Sequence, residues 1–89
     1  MARLDGLSME RADLGAGPAD GMAYYELGVM YAAGRDVAVD RVTAHKWLNI
    51  AAMRGCREAV SLRSELAVEM TSAEIAAAQR EARLWLSRN

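Results

Sequence analysis

The chain has no phenylalanine, and it has one proline, one cysteine and one histidine among 89 residues. Each shortage excludes something. With Cys56 alone there is no intrachain disulfide and no cysteine-based metal cluster. A single free thiol fits a reducing compartment. His45 alone makes no histidine cluster, so no metal site and no cofactor are expected. Net charge is nearly absent as well, −1 at pH 7 with acids and bases interspersed. That gives no electrostatic case for nucleic acid or for an anionic membrane. No stretch approaches the roughly 20 apolar residues of a membrane span. Asp5, Glu10, Arg11 and Asp13 interrupt any apolar leader after Arg3. The expected location is the cytoplasm.

What is present is alanine, methionine and glycine, with hydrophobic residues at 53%. That content excludes general disorder. An alanine-rich, phenylalanine-free chain points to closely packed helices rather than a sheet. Its length makes one small domain that buries about 60% of its unfolded surface, with a thin stability margin.

Residues 1–17 hold Leu4, Leu7, Met9 and Leu14 among charges. They read either as a frayed arm or as a lid over the first helix. The first helix is expected to start near Pro18 to Asp20 and to stop at Gly34. Its inner stripe reads Ala23, Leu27, Met30 and Tyr31. Gly28 sits mid-helix, which costs about 1 kcal/mol relative to Ala, so another backbone is expected close by. The Ala51-Ala52 pair is the small surface expected to receive it. Asp40 caps a second helix over about 41–54, with Ala44, Trp47, Leu48, Ala51 and Ala52 inward and Gly55 closing it. A third helix over about 56–70 carries Ala59, Leu62, Leu66 and Met70. Thr71 and Glu74 form a capping box for a fourth helix, reaching about Ser87, with Ile75, Ala78, Ala82, Trp85 and Leu86 inward.

The chain also repeats itself. Ala44-His45-Lys46-Trp47-Leu48 recurs as Ala82-Arg83-Leu84-Trp85-Leu86, 38 positions later, and Ala23 and Ala59 stand 36 apart. A period in the mid-thirties with two helices per unit is the signature of an α-solenoid. In its residues the chain resembles the Sel-one-like repeat, a relative of the tetratricopeptide repeat. Ala23, Leu27, Gly28, Tyr31, Gly34, Val37, Asp40, Ala44, Trp47, Ala51, Ala52, Gly55 and Ala59 fall on that family's pattern. Asp36 replaces the second glycine of its loop, and Asp tolerates left-handed backbone better than most residues. Leu62-Arg63 replaces Leu-Gly and is out of step. The resemblance implies an all-α fold of antiparallel helix hairpins, about one and a half to two repeats. Residues 18–55 would be one full unit and 56–89 a degenerate second unit or closing helix pair. It implies a scaffold for protein–protein contacts and no chemistry.

Cys56 at a helix start, flanked by Arg54 and Arg57, reads as a small, partly buried residue rather than a reactive thiol. His45 reads as a solvated side chain without a partner for catalysis. No serine has lysine three positions on, and there is no Gly-rich phosphate loop and no His-Glu-x-x-His. No enzyme is expected. Arginines of the second half alternate with glutamates, as on a solvated helix face. The expected partner is a protein or peptide, or a second copy of the chain as a homodimer. Met22, Tyr25, Val29 and Ala32 form a second apolar stripe on the first helix. The expected protein-binding residues are therefore Tyr24, Tyr25 and Val29, joined by Leu84 and Trp85. The competing reading has Leu4, Leu7 and Leu14 folding back over that stripe.

Overall fold

The computed structural model describes residues 21–89. Both readings of residues 1–17, the fold-back of Leu4, Leu7 and Leu14, and the helix start near Pro18 to Asp20 lie outside the described residues. Four helices follow one another: α1 (Gly21–Ala33), α2 (Arg41–Met53), α3 (Arg57–Val68) and α4 (Ser72–Arg88). Among the described residues there is no strand, so residues 21–89 are all-α, and residues 34–40 form a turn rather than a hairpin of strands.

The punctuation follows local chemistry. Gly34 ends α1 at φ +74°, and the amides of Gly34 and Arg35 both reach the Met30 carbonyl. Asp36 stands at φ 64°, the left-handed geometry its place in the loop requires. The loop closes when the Asp40 amide bonds the Tyr31 carbonyl at 3.0 Å. Asp40 then caps α2, accepting from the Thr43 amide at 3.1 Å and from the Thr43 hydroxyl at 2.8 Å. Gly55 at φ +91° ends α2; its amide bonds the Ala52 carbonyl and the Cys56 amide the Ala51 carbonyl. At α4 both halves of the capping box are present. Thr71 Oγ1 accepts from the Glu74 amide at 3.1 Å and the Thr71 amide donates to Glu74 Oε1 at 2.8 Å.

Helix α2 is the hub, packing against α1, α3 and α4, while α1 also touches α3. The core joins Ala44, Leu48 and Ala51 of α2 to Ala59 and Leu66 of α3, Met70 after it, and Ala78 of α4. Ile50 is buried too, and sequence periodicity had not placed it inward.

The inner face of α1 differs from the expected stripe. Ala23 is exposed, and Leu27 and Met30 are only half-buried. Gly21 and Gly28 are the buried positions, and Tyr24, Tyr25, Tyr31 and Ala32 pack on the core. The 3–4 spacing holds, but it starts from Gly21. Glycine carries no apolar side chain, so a stripe counted on side chains passes it over. Its lack of a Cβ is nevertheless what lets the helices touch. A Cβ on Gly28 would lie 2.6 Å from Leu48 Cδ2 and 3.3 Å from the Ala44 carbonyl oxygen. Gly28 therefore meets Leu48 and Ala44, not the Ala51-Ala52 pair. The Ala51 carbonyl lies instead against Gly21, at 3.1 Å from where a Cβ would stand.

Candidate functional site

Three aromatic rings converge where α1, α2 and α4 meet. Tyr24 stacks on Trp47, with centroids 5.9 Å apart and planes 5° apart. Trp85 meets Tyr24 edge-on at 5.3 Å and Trp47 edge-on at 5.5 Å. Offset stacks and edge contacts at these distances suit the ring quadrupoles. Two cations border the cluster. Lys46 Nζ lies 4.5 Å from the Trp47 ring centre, and the Arg54 guanidinium lies 5.8 Å from that of Tyr24. All three rings are half-buried, so each keeps an edge open to solvent.

The five expected binding residues thus divide. Tyr24 and Trp85 are brought together and tie α1 to α4. Tyr25 packs on the core from α1. Val29 is half-buried on α1, and Leu84 is 46% exposed on α4. Trp47 belongs to the same cluster, and its sequence signal was the repeat itself. Trp47 and Trp85 hold equivalent places in the repeated pentapeptide and end in contact.

Several large apolar side chains are open to solvent elsewhere on the described helices and loops. Met22, Val39, Met53, Val60 and Val68 are exposed. A shallow open cleft of about 230 Å³ lies at the start of α1, lined by Gly21, Met22, Arg54, Gly55, Cys56 and Glu58. Cys56 is buried in its wall as the N-cap of α3, and its thiol lies 3.6 Å from Glu58 Oε1.

No family model, curated protein or solved structure matches this chain. The residues must therefore carry the reading by themselves. Among the described residues no three His, Cys, Asp or Glu side chains gather as a metal site. No helix there is long and apolar enough to cross a membrane.

His45 departs from its expected place. It was expected to be solvated and is instead 3% exposed at the α2–α3 seam. Its wheel position, one step from Ala44, borders the core face, and Arg63 of α3 lies near enough for its charge to act on the ring. Burial holds its pKa below the ordinary 6.5, with the nearby Arg63 charge acting the same way.

Proposed function

We propose that this chain is a non-catalytic protein–protein interaction module. In this reading it is a Sel-one-like, tetratricopeptide-like solenoid unit of about one and a half to two repeats, taking a protein or peptide as partner. The observation that carries the reading is the composition and burial of α1. Glu26 is its only charged residue, yet only Gly21 and Gly28 are buried. A helix apolar on nearly every side is stable in water when more than one side is covered. Helix α2 takes the glycine face; Leu27, Val29 and Met30 stay half-buried on the other sides. The repeat-related contact between Trp47 and Trp85 supports the solenoid reading, as do the left-handed glycines and the Asp40 cap at their motif positions. No cofactor, nucleic acid or membrane enters this proposal.

A second reading, self-association as a homodimer, is favoured by the outer end of the chain of helices. Solenoid ends are normally capped by a polar face, whereas Leu84 is half exposed and Val68 almost fully so. The test combines Val29→Glu with Leu84→Glu, since neither side chain belongs to the core. Light scattering gives the mass of parent and variant, circular dichroism their helicity, and capture from the source cell their bound proteins. A folded monomer from a dimeric parent supports the homodimer. A folded variant that loses a partner the parent retains supports the interaction module. A folded variant identical to the parent in both respects overturns this assignment of the surface.

A further inference from the structure

A polar row crosses the seam between α2 and α3. Arg41, His45 and Asn49 stand four residues apart on α2 and so share one face. Helix α3 and its C-terminal end answer the outer two. Arg41 Nε lies 3.4 Å from Glu69 Oε1, and Arg63 Nη1 donates to Asn49 Oδ1 at 2.6 Å. His45, between them, gets no answer. Its ring is 3% exposed, and its Nδ1 is buried without a hydrogen-bond partner. Arg63, fixed by Asn49 one turn away, is the charged group whose field reaches the ring. Among the described residues no charge on α1 or α4 acts on it, and Glu69 is taken by Arg41.

We propose that this seam is a proton-operated latch: neutral His45 lets α3 close on α2, and a proton on His45 releases α3 while α1, α2 and α4 stay joined. A protonated ring would carry two N–H donors in a buried place where its own backbone is the acceptor, a contribution smaller than the cost of burial. It would also carry a positive charge into the field of the Arg63 guanidinium. Release of α3 relieves both. Helix α4 is held separately, through the Tyr24, Trp47 and Trp85 rings. Because the ring's pKa in the closed state lies below 6.5, the closed state is fully favoured above that pH and loses ground as the pH falls below it.

The chain supplies its own probes. His45 is the only histidine, so its ring resonances are unambiguous, and both tryptophans lie in the aromatic cluster. Cys56 is the only cysteine and is buried at the start of α3. Its labelling by a dipyridyl disulfide, which stays reactive in acid, is measured relative to an unfolded peptide thiol at the same pH. The relative labelling is expected to rise as the pH falls from about 7 to about 5, through the ordinary histidine range. Tryptophan emission should hold constant over the same range. Arg63→Gln should move the ring's midpoint upward, and His45→Gln should flatten the labelling profile. If His45→Gln does not fold, the parent and Arg63→Gln still decide. A ring midpoint at or above 6.5 in the folded parent overturns the latch. So does flat labelling, or tryptophan emission lost in the same step.

Discussion

At the scale of single residues, Gly28 shows how a small atom count sets an interhelix distance. Replacing it with Ala removes a helix-propensity penalty of about 1 kcal/mol. The added Cβ, however, would stand 2.6 Å from Leu48 Cδ2 and 2.7 Å from its Cγ. Leu48 is fully buried and has no room to retreat. The clash should outweigh the propensity, so Gly28→Ala is expected to lower the denaturant midpoint. Gly28→Leu should lower it further, by about 1–3 kcal/mol of overpacking. A midpoint for Gly28→Ala at or above the parent's would contradict the close approach. The sequence made Gly28 legible as a contact because a mid-helix glycine is a local cost in need of a reason. It did not reveal the facing residue, because α1 and α2 can slide past one another by a turn without changing either helix's own pattern. His45 was illegible for a related cause: polarity suggested solvent, while its burial depends on where α3 lands.

At the scale of helices, ends were the most legible features, since caps are local chemistry. Gly34, Gly55, Asp40 and the Thr71–Glu74 box all do what their types dictate. Thr71→Ala removes one half of the box and should cost about 1 kcal/mol, read as a lower denaturant midpoint with unchanged mass. The Asp40 carboxyl is held below its ordinary 3.8, chiefly by the Thr43 amide and next by the Thr43 hydroxyl. Its folded pKa is the lower one, so its stabilisation is present above 3.8 and is lost as the pH falls through the folded value. Acid titration of the parent should therefore show a loss of α2 stability at about pH 4 or below that Asp40→Asn lacks. A parent and an Asp40→Asn variant with parallel acid profiles would remove Asp40 from the account. The inner face of α1 was the element-level miss. Apolar residues lie on nearly every side of it, so periodicity alone admits several faces, and the buried one is marked by glycines.

At the scale of the whole molecule, α4 is bound to the rest through long-range contacts rather than through its sequence neighbour alone. Trp85 meets two rings, and each such aromatic pair adds about 0.5–1.5 kcal/mol beyond the area it covers. Trp85→Leu keeps an apolar side chain but removes the indole and with it both edge contacts, so a destabilisation of at least about 1–3 kcal/mol is expected. Tryptophan emission from Trp47 should shift to the red as its edge opens to water. An unshifted emission and an unchanged midpoint would mean that the cluster contributes no cohesion. The sequence announced the partnership through the repeated pentapeptide, though not that the two copies would touch. That contact joins residues 38 positions apart. During synthesis at about 5–20 residues per second, Trp47 leaves the ribosome about 2–8 s before Trp85 does. For that interval the nascent hairpin carries an indole covered by Tyr24 on one side and open where Trp85 will sit, and its closure is timed by translation rather than by diffusion.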